Sequence, residues 1–253
     1  MKLAIVGYGK MGHMIAQAAC ARGHEVVCTV DPFAVDASCI TQDRAAMVDA
    51  VKKSGAEAII EFSHPSSVRA NIDALVPTRI PLVVGTTGWH DAIGEVRALV
   101  ELNGSSFLYS SNFSVGVNLF YRIVSEAARL MAEFDAYDVA VFESHHNQKA
   151  DSPSGTGLDI AKRIMAEIPR KKKLVTDQFK RKPEPDELHL ASVRVGSVPG
   201  THTVYFDSAA DTIELTHTAR SREGFALGAV VAAEWLAKAT PGVFTMNDVF
   251  ADL

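Results

Sequence analysis

The chain is 253 residues long, 47% hydrophobic and 22% charged, which allows one large α/β domain or two modest ones around a sizeable core. Its formal net charge of -5 gives no reason to expect nucleic acid, and every apolar run is interrupted before it is long enough to span a membrane. Cys20, Cys28 and Cys39 form no CxxC pair and Met1–Val6 runs straight into a strand pattern, so reduced thiols and a cytoplasmic location are expected.

Leu3–Val6 reads as a buried strand, Met11–Arg22 as a helix closed by Gly23, and Glu25–Val30 as the next strand. Strand Ala58–Phe62, helix Ser66–Leu75, strand Leu82–Val84, helix Ala92–Leu102 and strand Phe107–Tyr109 continue the alternation. That pattern predicts a parallel sheet covered on both faces.

Beyond about Val115 the texture changes. An amphipathic segment, Asn118–Ala132, leads to strand Tyr137–Phe142, a polar loop and a helix over Gly155–Ile168. The basic clusters Arg170–Lys173 and Lys180–Lys182, close to Pro183 and Pro185, read as solvated loop. Three strands without intervening helices follow, Leu190–Val195, Thr201–Phe206 and Thr212–Thr218, and predict a mainly antiparallel second sheet. The apolar helix Gly224–Ala237 is expected to pack back on the first domain, which makes the second an insertion.

Gly7-Tyr8-Gly9-Lys10-Met11-Gly12 fits G-x-G-x-x-G directly between a strand and a helix, and Asp31 ends the next strand. In such a turn Gly7 permits the bend, Gly9 lets the backbone approach a pyrophosphate, and Gly12 lets helix and strand pack closely. A carboxylate at Asp31 accepts from ribose hydroxyls and repels a 2′-phosphate. With Pro32 rather than a basic residue next, NADH is favoured over NADPH, although Lys10 or Arg44 could fold near the site. Gly85-Thr86-Thr87-Gly88 and Ser110-Ser111-Asn112-Phe113-Ser114 also end strands of this sheet, where ligands of open α/β sheets bind. Ordinary turn chemistry explains such segments equally well.

The densest chemistry runs from Glu143 to Gly157. A Ser154-Gly155-Thr156 turn opening a helix suits an anion, a lysine adds positive charge, and a histidine can donate a proton. Metal is not expected, because His145 and His146 point opposite ways along an extended segment and no companion ligand set lies nearby in sequence. Trp89 and Trp235 read as packing residues, His202 and His217 as core of the second sheet with a site-lining or interface role as the alternative, and His64, His90 and His189 as boundary residues without a nameable partner.

The run from His145 to Thr156 is very similar to the H-H-x-x-K-x-D-x-P-S-G-T signature of dihydrodipicolinate reductases. Gly85–Gly88, Asn112–Asn118, Arg194-Val195-Gly196, Gly200-Thr201-His202, His217 and Ser221–Ala226 extend the resemblance over most of the chain. The resemblance implies reduction of 4-hydroxy-tetrahydrodipicolinate, a cyclic dicarboxylate of lysine biosynthesis, with NADH or NADPH. It implies His145 as proton donor assisted by Lys149, with His146, Ser154, Gly155 and Thr156 holding substrate. Gly7, Tyr8, Gly9, Lys10, Met11, Gly12, Asp31, Gly85, Thr86, Thr87, Ser110, Ser111, Asn112 and Phe113 would line the cofactor. It further implies a homotetramer, and domain closure to unite the two ligands. The expected architecture is a Rossmann-like domain of residues 1–114 and 223–253, with an inserted α+β substrate and oligomerisation domain, 115–222, built on a mixed or antiparallel sheet. Two departures bear on the cofactor: the glycine loop is compact, with Lys10 before Met11, and Pro32 follows the ribose acid. The rival readings are another two-domain Rossmann dehydrogenase, which would have no use for this histidine loop, and a dinucleotide sensor without catalysis.

Overall fold

A computed structural model describes residues 1–251; Asp252 and Leu253, the last two of the expected 223–253 segment, lie outside the described residues. The chain begins with β1 (Lys2–Val6), α1 (Lys10–Ala21), β2 (Glu25–Asp31), β3 (Cys39–Ile40) and α2 (Arg44–Ser54). It continues through β4 (Ala58–Glu61), α3 (Pro65–Leu75), β5 (Leu82–Val84), α4 (Ile93–Asn103) and β6 (Ser106–Tyr109). Next come α5 (Val115–Ala132), β7 (Asp138–His145), α6 (Gly155–Glu167), β8 (Lys173–Val175), β9 (Glu187–Arg194), β10 (Thr201–Asp207) and β11 (Thr212–Thr218). The chain closes with α7 (Glu223–Leu236), β12 (Gly242–Phe244) and α8 (Met246–Val249).

Two compact units result, Met1–Val115 with Arg222–Leu253, and Gly116–Ser221. In the first, seven strands run in the order β12-β6-β5-β4-β1-β2-β3, and every pairing is parallel. The central strands are apolar on both faces, as a sheet covered by helices requires: Leu3, Ala4, Ile5, Ala58, Ile59 and Ile60 are all fully buried. α7 packs against α1 and against β4, β5 and β6, so the last helix returns to the first unit.

α2 was not anticipated, although its signals are present: the Asp43 carboxylate accepts from the Ala45 amide, and Gly55 closes the helix at φ 68°. β3, β8 and β12 are two or three residues long and too short for a periodic signal.

The second unit holds a five-stranded sheet in the order β11-β10-β7-β9-β8. It is mixed rather than mainly antiparallel: β10 pairs antiparallel with β7 and β11, while β9 pairs parallel with β7 and β8. The long connection through α6 and β8 returns the chain in the same direction, as a parallel pairing demands. β7 also outlasts its expected end at Phe142, because β9 and β10 pair with it as far as His145 and Ser144 respectively. His145 is therefore the last strand residue, not the first of a loop.

Lys180–Lys182 is exposed and outside any strand or helix, as expected, but the first basic cluster is not solvated loop throughout. Lys171 is 4% exposed, and its ammonium donates to the carbonyls of Pro185 and Glu187 at 3.0 and 2.8 Å and pairs with Asp138. Arg170 donates to the carbonyls of Ala132 and Tyr137 at 3.0 and 2.8 Å, tying down the end of α5, and Arg181 pairs with Glu187 at 2.6 Å. Buried carbonyls and carboxylates need donors, and these cations supply them. Among the described residues no helix is long and apolar enough to cross a membrane.

Candidate active site

In the first unit the chain leaves β1 through Gly7, at φ 92°. A side chain there would overlap the Phe62 carbonyl, and one on Gly12 would overlap the Gly7 carbonyl, so close backbone approach requires both glycines. Gly9 is different. A Cβ on it meets nothing within 4 Å, and as N-cap of α1 it offers no side-chain hydrogen bond. The first-turn amides of α1 are thus left for an external acceptor.

Asp31 joins this turn directly, since its Oδ2 accepts from the Tyr8 amide at 2.8 Å. Its Oδ1 accepts from the Phe33 and Ala34 amides at 2.8 and 2.9 Å. Of roughly four acceptor positions on a carboxylate, the chain itself occupies three. A cavity of about 480 Å³ opens beside the turn, with Gly7, Pro32, Phe33, Arg44, Ser63 and His64 among its walls. That volume suits a small-molecule pocket. Phe33 is 80% exposed, and Arg44 keeps a buried Nε without a hydrogen bond. His64, for which no partner was expected, caps α3: its Nδ1 accepts from the Ser66 amide at 3.2 Å.

The two neighbouring strand ends are built tightly. The Phe62 ring occupies the space a Gly85 side chain would need. Trp89 is buried in the core as expected and donates to the Thr86 carbonyl at 2.9 Å, fastening the Gly85–Gly88 turn. Thr86 is buried and Thr87 exposed. The Ser110 hydroxyl donates to the Asn112 carbonyl and Asn112 Oδ1 accepts from the Ser114 amide, both at 2.9 Å; Phe113 packs 5.6 Å from Phe62, while Lys10 and Ser111 are exposed.

In the second unit one face of the sheet changes character along β7. Val139 and Val141, with Leu188, Leu190, Val204 and Phe206 from the flanking strands, form a core with α5 and α6. Two and four residues further along the same face stand Glu143 and His145. Their cross-strand neighbours are His202 on β10, and Ser192 and Arg194 on β9.

Glu143 is fully buried and is the hub of this cluster. Its Oε1 accepts from the Ser154 amide at 2.9 Å and from the Arg194 guanidinium at 3.2 Å. Its Oε2 accepts the Ser154 hydroxyl and lies 3.4 Å from His202 Nε2. Burial opposes the charge, but the bonds from His202 and Ser154 outweigh it and hold the carboxyl well below the usual range. Gly157 makes room, because a Cβ there would stand 2.5 Å from Glu143 Oε2.

His145 is 6% exposed, with Nδ1 buried and unbonded 3.7 Å from Glu143 Oε1. Its ring meets that of His202 edge to face at 5.0 Å, and Gly200 admits it closely, since a Cβ there would lie 3.0 Å from Nε2. Burial, opposed by Glu143 and aided by His202, Lys149 and Arg194, pushes the His145 pKa down to about 4. Ser154 caps α6 by accepting from the Gly157 amide at 3.0 Å. Gly155 begins the helix exposed, with nothing within 4 Å of where a Cβ would sit, and Thr156 follows half-buried. Lys149 pairs with Asp151 at 2.8 Å, and His146 is half-buried with its carbonyl accepting from the Lys149 amide.

The fold thus joins His145 and Ser154 through Glu143, a residue the sequence reading left without a role. His202 belongs to the same cluster rather than to plain core packing. The expectation that the histidines lack nearby metal-ligating companions is likewise corrected: Glu143, His145 and His202 present ligand atoms all within 4.8 Å of one another. Ser154, Arg194 and His202 already fill the acceptor positions of Glu143, however, and a guanidinium lies beside it. That donor set makes a hydrogen-bonded hub.

Two family models divide the chain between them. One, described as dihydrodipicolinate reductase, N-terminus, matches residues 1–113, and the other, dihydrodipicolinate reductase, C-terminus, matches residues 116–250. The chain belongs to the dihydrodipicolinate reductase family. The 4-hydroxy-tetrahydrodipicolinate reductase of Christiangramia forsetii is 40% identical over 253 residues, covering 100% of this chain and 99% of the relative. The protein of the same name from Archaeoglobus fulgidus is 35% identical over 260 residues, covering 98% and 99%. Among solved structures, dipicolinate-bound dihydrodipicolinate reductase from Paenisporosarcina sp. TG-14 matches with a TM-score of 0.77 at 21% identity over 98% of both chains. The fold extends beyond the family: amine dehydrogenase from Mycobacterium smegmatis matches with a TM-score of 0.62 at 11% identity, covering 96% of this chain and 94% of that one. As a member of the dihydrodipicolinate reductase family the chain is an oxidoreductase of diaminopimelate and lysine biosynthesis. Its first unit is a Rossmann-like domain of the kind that holds a nicotinamide cofactor.

Proposed function

We propose that this chain reduces 4-hydroxy-tetrahydrodipicolinate to tetrahydrodipicolinate, with His145 as the proton donor and the start of α6 as the carboxylate cradle. The observation that carries the assignment of roles is the single buried cluster in which Glu143 links His145 to the Ser154 cap of α6. The product lacks the 4-hydroxyl, so the reaction releases water and adds one hydride and one proton.

A bound nicotinamide supplies the hydride. The protein's own groups handle charge and the proton. Gly155 and Thr156 offer the first-turn donors of α6 to a substrate carboxylate, where the helix dipole favours negative charge. His145 is neutral in the free protein, because burial and the surrounding cations disfavour a second positive charge. A dianionic substrate offsets those cations and raises the basicity of His145, which then carries a proton to the enamine-like anion formed in the ring. Lys149 exchanges Asp151 for the substrate and stabilises developing charge, and His146 contacts the same ligand.

On the cofactor side, Gly7 to Gly12 hold the pyrophosphate. The remaining acceptor position on Asp31 Oδ2 takes a ribose hydroxyl, and with Pro32 following this favours NADH. The turns Gly85–Thr87 and Ser110–Phe113 receive the nicotinamide end. NADPH is the second reading, supported by Arg44, which lines the cavity, where a 2′-phosphate needs a cation.

We extend the proposal to a cytoplasmic homotetramer assembled through the second sheet. Helices cover one face of that sheet, while Phe142, Val193 and Tyr205 lie on the opposite face, Val193 being 42% exposed.

The direct test follows loss of nicotinamide absorbance with substrate made in place by a coupled synthase, comparing NADH with NADPH. Substrate-dependent oxidation should fall on the order of a hundredfold in His145→Ala with cofactor affinity retained. Cofactor binding without any oxidation by the wild type would sink the assignment.

A further inference from the structure

The first unit contains a second fully buried carboxyl, Glu61, which no step above uses. It ends β4 between Val6 and Val84, the residues that lead into Gly7 and Gly85. Its backbone belongs to the sheet, since the Glu61 carbonyl accepts from the Gly85 amide at 2.9 Å. Its side chain reaches the walls of the cofactor cavity. Oε1 accepts the Ser63 hydroxyl and, at 3.1 Å, the Asn71 amide. Ser63 and Asn71 both line that cavity.

The other oxygen is the anomaly. Glu61 Oε2 is buried with no hydrogen bond, and the Thr86 hydroxyl, buried and likewise unbonded, faces the carboxyl. The partners of Glu61, namely Ser63, Asn71 and the Thr86 hydroxyl, are all neutral, so an ionised carboxylate would be a buried charge without a counter-charge. Burial drives the group toward its neutral form, although Ser63, Thr86 and Asn71 oppose it. A proton on Oε2 resolves both orphans at once. The acid donates to Thr86 Oγ1, and the Thr86 hydroxyl hydrogen is then turned outward, free for a ligand.

We propose that Glu61 acts as a neutral positioning acid that fixes Ser63, Asn71 and Thr86 around the dinucleotide. The proposal rests on the cofactor reading of the first unit. Glu61 touches no reacting atom. It acts through Thr86, in a turn assigned to the nicotinamide end, and through two groups in the wall beside Gly7.

Glutamine is the isostere of the neutral acid: its amide donates toward Thr86 while its oxygen keeps the bonds from Ser63 and Asn71. The test measures dissociation constants for NADH and NADPH by ligand-quenched tryptophan fluorescence with the full-length wild type, Glu61→Gln, Glu61→Ala and Thr86→Val. Thermal unfolding without ligand runs alongside, and kcat and cofactor KM follow. Glu61→Gln should bind within about twofold of wild type, while Glu61→Ala and Thr86→Val weaken binding about tenfold, the scale of one lost buried hydrogen bond. The loss should fall on cofactor KM, with kcat at saturation within about threefold. Equal affinity in Glu61→Ala overturns the proposal. So does a Gln variant as weak as Ala, which would mean that the ionised form is the working one. If Glu61→Ala fails to fold, Thr86→Val and the Gln rescue still decide. A wild type that binds neither dinucleotide would bring down the cofactor reading and this inference with it, an outcome distinct from normal wild-type binding with indifferent variants.

Discussion

Two buried acids, Glu143 and Glu61, are held in opposite senses by their neighbours. Glu143 has four partners on its two oxygens, including a guanidinium, and stays ionised; Glu61 has neutral partners on one oxygen and an orphan on the other. The ionised one leaves its mark on His145, whose pKa of about 4 in the free protein is set by burial first, with Glu143 opposing. The sign of the consequence is definite. A ligand dianion raises the His145 pKa, so binding takes up a proton at any pH between about 4 and the higher bound value. Calorimetric titration of dipicolinate near neutral pH, in buffers of different ionisation enthalpy, should therefore show net proton uptake. The uptake should vanish in His145→Ala. A wild-type protein that binds the dianion without proton uptake would remove His145 from the donor role.

At the scale of an element, α6 depends on its fit against β7. Helix propensity alone predicts that Gly157→Ala stabilises by up to about 1 kcal/mol. The new methyl would stand 2.5 Å from Glu143 Oε2, and that carboxylate is fastened by Ser154, Arg194 and His202 and has no room to yield. Overpacking of this kind costs about 1–3 kcal/mol. Overlap wins. Gly157→Ala should lose stability in denaturant titrations and bind dipicolinate more weakly. Gly155→Ala, whose methyl meets nothing within 4 Å, should unfold at the wild-type denaturant concentration or slightly above it. Equal stability of the two variants would show that α6 can slide away from β7. The same scale explains the basic clusters. Lys171 and Arg170 read as solvated because charge runs commonly are, but from the turn between α6 and β8 they reach the carbonyls of Ala132, Tyr137, Pro185 and Glu187 in the connections on either side.

For the whole molecule, the second sheet sets the expectation. Covered by α5 and α6 on one face, it leaves Phe142, Val193 and Tyr205 on the other. A light-scattering mass of four chains is expected for the wild type, and a smaller species for Tyr205→Glu, since a buried unpaired charge opposes association. A monomeric wild type with full activity would overturn the proposed assembly.

Periodicity and punctuation settled a good deal without any coordinates. The glycine turn, Asp31 and the strand–helix alternation follow from local sterics and from a 3.6- or 2-residue hydrophobic repeat, and those signals are complete within a short window. The resemblance carried by His145 to Thr156 was equally local. What local signals could not decide is who meets whom across strands. His145 became a strand residue because β9 and β10 pair with β7 beyond Phe142, and the same pairing put His202 opposite Glu143. The direction of β9, parallel to β7, was invisible for the same reason: a connection of the right length does not state its own geometry. Strands of two or three residues, such as β3 and β12, exist only because a neighbour offers them hydrogen bonds. Sequence by itself determined the fold class, the glycine turn after β1 and the family signature from His145 to Thr156, since each depends on residues close together in the chain. Only the tertiary structure decided which buried acids hold those groups in place, because the partners of Glu143 and Glu61 lie up to 59 and 25 residues away and are brought in by sheet register and helix packing.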